Sequence, residues 1–256
     1  IITAAATTVE NLRQSVQAAG VEATQFVLNP LASAEVVLSE TERQMGTVVC
    51  DIGGGTTDPA IYIDGDVWHT MVIAVGGNHV TSDIAHGLRL PMEQAEEIKK
   101  QYGYALEREV AADDTFTMRP FGEEQAEIVS RKDLAHIIEA RVEEIFDLVL
   151  QEIKRSGYDG MLPAGMVLTG GMSNLPGIRT LASEVLGLPV RIAKPDNLVG
   201  LVDQLHSPAY STSVGLLYWA LMMSETMPVA PRGRRPRGGG NVNWDIIKNF
   251  LKRMLP

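Results

Sequence analysis

Residues 51–58 read Asp51-Ile52-Gly53-Gly54-Gly55-Thr56-Thr57-Asp58 and lie between two apolar runs, Thr47-Val48-Val49-Cys50 and Ile61-Tyr62-Ile63. The second run leads into Asp64-Gly65-Asp66, where the chain turns again. This order predicts strand, glycine turn and returning strand: a β-hairpin with a carboxylate at each end of its turn. Gly53, Gly54 and Gly55 lack the Cβ that would keep an anion away from their backbone N–H groups, so a phosphate can approach closely. Thr56 and Thr57 add hydroxyl donors, and Asp51 and Asp58 suit a hydrated Mg²⁺ beside that phosphate. An ordinary Gly-rich hairpin turn is the bland alternative. It leaves the two carboxylates and two threonines without a purpose.

The 256 residues suffice for one large domain or two smaller ones, and 45% hydrophobic content excludes wholesale disorder. No run approaches the roughly 20 apolar residues of a membrane span; the longest candidate, around 214–223, is about half that. Cys50 is the single cysteine, which excludes an intrachain disulfide framework and fits a reducing compartment. The five histidines (His69, His79, His86, His136, His206) show no ligand spacing with Cys50, so no metal cluster is expected. Net charge is −10, unevenly spread. Residues 231–256 carry seven Lys/Arg against Asp245, a net +6, which leaves the remainder at −16. An acidic body argues against nucleic-acid binding, whereas its basic tail calls for an anionic partner. The chain opens on Ile1-Ile2-Thr3 with neither an initiator Met nor a signal pattern, and is expected to start inside a longer protein.

Apolar spacing at Val9, Leu12, Val16 and Ala19 predicts a helix over 8–19 that ends at Gly20. A short strand is expected at 25–28, and Asn29-Pro30 opens a helix over 31–38. After the hairpin, a third strand is expected over 69–74, then Gly76-Gly77 and a helix over 78–87. This order points to a mixed sheet. Residues 92–102 read as a charged helix and 105–120 as polar and strand-poor. Residues 132–156 read as a long helix whose apolar positions Leu134, Ile137, Ile138, Val142, Ile145, Leu148, Val149 and Ile153 form a stripe expected to be buried. Its acids Glu139, Glu143, Glu144 and Asp147 read as a solvated face. A strand at 165–168 then meets Thr169-Gly170-Gly171, with a helix running on to Leu186. A second strand-to-Gly-Gly turn offers a ligand more backbone, but by itself is a weak signal.

The combination is more specific than its parts. The hairpin 51–58, Val75-Gly76-Gly77, Ala95-Glu96-Glu97-Ile98-Lys99 and Leu168-Thr169-Gly170-Gly171-Met172-Ser173-Asn174-Leu175-Pro176-Gly177, in this order, resemble the actin-like ATPases. Within them the chain is most similar to the FtsA family of bacterial cell-division proteins, over about residues 1–226. The resemblance implies an α/β, actin-like (RNase H-like) ATPase fold with an incomplete first lobe, a second lobe and a C-terminal amphipathic helix. It implies a remnant of the first lobe at 1–42. A second-lobe core follows at 43–84 and 163–205, an outer helical subdomain at 85–162 and a connecting helix at 206–226. A flexible basic linker (227–242) and the terminal helix (243–256) complete it. It assigns ATP and Mg²⁺ as cofactors, with Gly53, Gly54, Gly55, Thr56 and Thr57 as the second phosphate loop. Asp51 would orient Mg²⁺ and water, the metal being held through water. Glu96 and Lys99 would contact ribose and adenine, and Gly170, Gly171 and Asn174 the adenosine. Asn29 stands where the family commonly carries Glu, and no Asp-x-Gly precedes residue 51, so weak nucleotide binding and at most slow ATPase activity are expected. Pro59 is a further oddity in a strand, since it lacks a ladder donor.

The tail carries its own signal. Residues 228–240 are rich in Pro, Gly and Arg and read as a flexible linker. Asn243 caps a predicted helix over 244–255. At about 100° per residue Trp244, Ile247, Phe250, Leu251, Met254 and Leu255 share one side. Lys252 and Arg253 lie on the other, and Lys248 at the border can snorkel. This is the pattern of an interfacial membrane anchor drawn to anionic lipids, reinforced by four linker arginines at roughly 1 kcal/mol each. The reading is therefore an actin-like division protein on the cytoplasmic face of the bacterial membrane, at the division site. The resemblance implies that it polymerises, meets other divisome proteins and tethers FtsZ filaments, binding the FtsZ C-terminal peptide through the outer subdomain at 85–162. A pilus-assembly relative or a small-molecule kinase of the same superfamily are the alternatives.

Overall fold

The structure, a computed structural model, describes residues 3–196, 198 and 205–226. The expected linker and terminal helix, with every membrane-binding residue from Trp244 to Leu255, lie outside the described residues. In chain order the elements are α1 (Ala6–Ala18), α2 (Asn29–Val37), α3 (Glu40–Met45), β1 (Thr47–Ile52), β2 (Thr57–Ile63) and β3 (Asp66–Thr70). Then come α4 (Gly77–Leu88), α5 (Met92–Tyr102), β4 (Thr115–Met118), β5 (Glu127–Ser130) and α6 (Arg131–Ser156). Last are β6 (Met166–Thr169), α7 (Ile178–Leu186), β7 (Val190–Ile192) and α8 (Ser211–Thr226). A first compact unit ends at Leu221; from Met222 the description covers only the end of α8.

Five strands form one sheet in the order β3-β2-β1-β6-β7. The first three pair antiparallel, while β1–β6 and β6–β7 are parallel. β1 and β2 are buried along their whole length, as their near-continuous apolar sequences require of strands covered on both faces. Alternation then assigns each residue a side. Val48, Cys50, Ile52, Ile61, Ile63, Met166 and Leu168 join the large core with α4, α6 and α7. Val49, Ala60, Tyr62 and Val167 join a smaller core with Ala34 and Val37 of α2. Pro59 is tolerated in central β2 because its carbonyl, and so its missing N–H, faces the point where β3 has ended. There a lone bond from Met71 N to Pro59 O (3.1 Å) replaces the ladder.

Several expectations change. The run 25–28 forms no strand; Phe26 instead sits under the Arg13 guanidinium, whose carbon is 5.0 Å from the Phe26 ring centroid. The third strand begins at Asp66 and stops at Thr70; only Ile73 beyond it bridges back, to Thr57. The supposedly strand-poor stretch holds β4, which pairs with β5 in a separate two-stranded sheet. α3, a single capped turn and a half, was not anticipated from the sequence. The stripe on α6 is buried except at Ile137 and Leu148, which are half-buried at its edges, and Ser130 caps that helix by accepting from Lys132 N at 3.1 Å. Of its acids, Glu139 is only half exposed and accepts the Glu107 amide at 2.5 Å, while Glu143, Glu144 and Asp147 face solvent.

Candidate nucleotide site

The period of two that sorts the core also places the carboxylates. Asp51 follows Val49 onto the α2 side of the sheet, and Asp58, its cross-strand partner, shares that side with Ala60 and Tyr62. Both are almost wholly buried. Asp51 Oδ2 accepts two hydroxyl bonds, from Ser33 of α2 at 2.6 Å and Thr212 of α8 at 2.7 Å; the two hydroxyl oxygens are 3.0 Å apart. Asp58 is held by Thr56 Oγ1 (3.0 Å) and by the Asn29 side chain. Burial pushes the Asp58 carboxyl up, against the pull of those two bonds, and the neighbouring Asp51 charge adds to the rise. Cys50, next to Asp51 in sequence but on the other face, has its thiol raised by burial first and by both aspartates second.

The glycine turn is fixed from behind by the start of α4. Gly77 N donates to Gly53 O at 2.9 Å and Asn78 N to Gly54 O at 2.7 Å. Gly76 has to be glycine for this approach, since a Cβ there would lie 2.8 Å from both carbonyl oxygens. Gly53 N closes the turn onto Thr56 O (2.9 Å), whereas the amides of Gly54 and Gly55 donate to no described residue and face outward. The second Gly-Gly turn arrives beside the first because β6 pairs with β1. Gly170, with φ of +87°, lies so close to β1 that a Cβ would fall 2.4 Å from Asp51 Oδ1 and from Ile52 O.

Between the turns lies a cavity of about 380 Å³. Gly53, Gly54, Gly77 and Asn78 form one wall, Glu96, Lys99 and Lys100 of α5 a second, and Gly171, Met172 and the stretch Asn174–Pro176 with Ala209 the rest. Glu96 is ionised at neutral pH. Burial acts to raise its carboxyl, but bonds from Lys99 (2.6 Å), Thr81 (2.5 Å) and Lys100 (3.3 Å) outweigh that and hold it below its ordinary value. Lys99 is itself buried and spends its protons inside the protein, on Glu96, Thr81 Oγ1 (2.8 Å) and Gly77 O (3.1 Å). It thereby ties α5 to the first turn of α4.

The structure thus gathers Gly53, Gly54, Glu96, Lys99, Gly171 and Asn174 around one cavity. Gly55 and Thr56 stand at the turn outside its walls. Thr57 is fully buried with its hydroxyl on Val75 O (2.8 Å), and Gly170 supports Asp51 rather than lining the space. Ser33, Asn78, Lys100, Ala209 and Thr212 escaped the sequence reading. Only Asn78, adjacent to Gly76-Gly77, and Lys100, adjacent to Lys99, carried a local hint.

The residues present fit a nucleotide with a hydrated divalent cation. Two outward amides on a glycine turn suit phosphate oxygens. The described residues hold no cluster of three His, Cys, Asp or Glu, so a cation here would keep its waters and lean on phosphate, as Mg²⁺ does.

Comparison with known proteins agrees with this geometry. The family model described as cell division protein FtsA matches residues 48–215. The chain is 42% identical over 234 residues to cell division protein FtsA of Pseudomonas aeruginosa, covering 91% of this chain and 56% of that protein. It is 41% identical over 244 residues to its counterpart in Neisseria meningitidis, covering 94% and 59%. The chain therefore spans little more than half the length of these relatives. Among solved structures it resembles MreB5 of Spiroplasma citri bound to ADP, with a TM-score of 0.70 at 21% identity over 87% of this chain and 67% of that one. It also resembles the MamK double helical filament (TM-score 0.63, 18% identity, 88% and 66% covered). The PilM–PilN type IV pilus biogenesis complex follows at 0.61 and 18%, with 83% and 57% covered. At such identities these likenesses establish the fold, which is actin-like.

Proposed function

Because the chain belongs to the FtsA family of cell division proteins, we propose that it binds ATP in the cavity between its two glycine turns and serves as a membrane adaptor for FtsZ filaments. The observation that carries the nucleotide part is the convergence of two separate Gly-Gly turns and the Glu96 side of α5 on one cavity of about 380 Å³. In this reading the Gly54 and Gly55 amides take the phosphates, Glu96 accepts from ribose hydroxyls, and Gly171 and Asn174 border the base. Asp51 holds the cation's water shell. When bound, the nucleotide supplies a hydrolysable phosphoanhydride. Asn29 lies against Asp58, and an amide cannot accept a proton from water, so turnover is slow and the ligand acts chiefly on conformation and assembly.

A fluorescent ATP analogue titrated with Mg²⁺ into the 256-residue chain tests this. Saturable binding is expected. Gly171→Leu, whose Cβ would meet nothing nearer than Ala209 Cβ at 3.9 Å, adds bulk at the cavity wall and should weaken binding at least about tenfold, or roughly 1.4 kcal/mol. Equal affinity in Gly171→Leu, or none in the parent chain, would remove the cavity from consideration.

The adaptor part rests on two supports. The first is the amphipathic pattern at 243–256, apolar on one side and cationic on the other, which suits an interfacial membrane anchor. Within 85–162, Phe121 and Ile128 expose 64% and 77% of their surface around β4 and β5, a surface suited to an apolar peptide such as the FtsZ C-terminus. Self-association into actin-like filaments and contacts with other divisome proteins belong to the same proposal. The pilus-assembly alternative rests on likeness of fold alone.

A further inference from the structure

The cavity explains the glycine turns but not the pair of hydroxyls on Asp51. That carboxylate accepts both available protons on one oxygen, Oδ2, from residues 18 and 161 positions away in sequence. Its other oxygen, Oδ1, accepts from no described residue. The donors belong to the two helices that flank the sheet on this side. α2 and α8 cross directly above: a Cβ on Gly215 would fall 1.8 Å from Ala32 O, so the two backbones touch one residue from Ser33 and one turn from Thr212. α2 makes a second attachment one turn earlier, from Asn29 to Asp58. Asn29 and Ser33, four apart, lie on one helix face. Each hairpin carboxylate is therefore gripped from α2, and Asp51 from α8 as well.

From this geometry we infer that Asp51 is a two-sided anchor, and that Ser33 and Thr212 are positioning residues which make the helices α2 and α8 respond to what binds at the glycine turn. Oδ2 carries the helix crossing and Oδ1 is left for the water shell of a cation. Charge drawn to one oxygen of a carboxylate is withdrawn from the other, so occupancy at Oδ1 loosens the hydroxyl grip at Oδ2. Ser33 is fully buried and Thr212 half-buried, so loss of either bond to Asp51 leaves a polar group in the crossing poorly satisfied. The second half of this inference rests on the nucleotide reading above; the first half does not.

Hydrogen–deuterium exchange on the whole chain separates the two. Without ligand, Thr212→Val, which keeps the shape and removes the hydroxyl, should speed amide exchange in α2 and in 215–220 of α8 at least about tenfold, with β1 and β6 unchanged. Thr212→Ser should restore the parent rate, because only the hydroxyl matters. Unchanged exchange in Thr212→Val, or failure of Thr212→Ser to restore it, overturns the anchor. With Mg²⁺ and a non-hydrolysable ATP analogue, exchange at 215–220 should change in the parent chain and stay constant in Thr212→Val while binding remains saturable. An equal response in both overturns the coupling. No binding by the parent chain overturns the nucleotide reading and its coupling, and leaves the ligand-free result to decide the anchor.

Discussion

Glu42 closes a capping box with Ser39 at the start of α3 and at the same time grips Arg191 of β7 through both carboxylate oxygens, at 2.5 and 2.7 Å. Arg191 also reaches Val37 O at 2.7 Å, so one ion pair joins α2, α3 and the far edge of the sheet. The Arg191 bond, with help from Ser39, pulls the Glu42 carboxyl from 4.5 down to about 2, against the opposing effect of its burial. A carboxyl with a depressed folded pKa contributes its full stability above the unfolded value, and that contribution drains as pH falls from about 4.5 to about 2. Glu42→Gln should therefore cost about 1.5–3 kcal/mol at pH 7, the worth of hydrogen bonds to a charged group, and almost nothing at pH 2. Urea unfolding at the two pH values checks this; an equal loss at both would show that packing, not charge, is what Glu42 provides.

At the scale of elements, the α2–α8 crossing has the least tolerance. Gly215→Ala places a methyl group into the Ala32 carbonyl, so α8 must lift from α2. The expected loss is about 1–3 kcal/mol by urea unfolding, the range for overpacked sites, accompanied by faster exchange in α8. A helical Gly→Ala change without such a clash would instead stabilise by up to about 1 kcal/mol, so the sign alone decides. The elements themselves differed in how plainly their sequences spoke. α6 is legible because burial of one face leaves a period in the sequence, and β1 and β2 because burial on both faces leaves apolar runs bounded by turn residues. β4 is harder to read: Thr115-Phe116-Thr117-Met118 alternates, with Phe116 and Met118 buried, but over only four residues, and its partner β5 leaves Ile128 in solvent. The run 25–28 has strand composition but pairs with no described strand. Glycines and carboxylates of the site could be read locally because their chemistry lies within a single turn. Ser33 and Thr212 could not, since each is an unremarkable helix residue until the fold brings the two within 3.0 Å.

Across the whole molecule the distribution of charge is the property with the clearest consequence. A body of net −16 is repelled by an anionic bilayer, while residues 231–256 at +6 are attracted. Under the adaptor proposal, membrane affinity is expected to come from the tail. Deletion of 243–256, or Trp244→Glu together with Phe250→Glu, should move the chain from anionic liposomes to the supernatant in co-sedimentation. Residual binding after deletion would place the contact elsewhere. The sheet has a consequence of another kind. Thr47 at the start of β1 bonds Gly165, 118 residues later, so the central strand gains its second neighbour only when β6 has been made. A growing chain completes β2, β3 and the whole of α6 before then. Throughout that interval β1 stands as an open edge, apolar on both faces, the kind of surface that captures another copy or a chaperone. The schedule on which the ribosome delivers the strands thus sets how long this protein is exposed to misassembly.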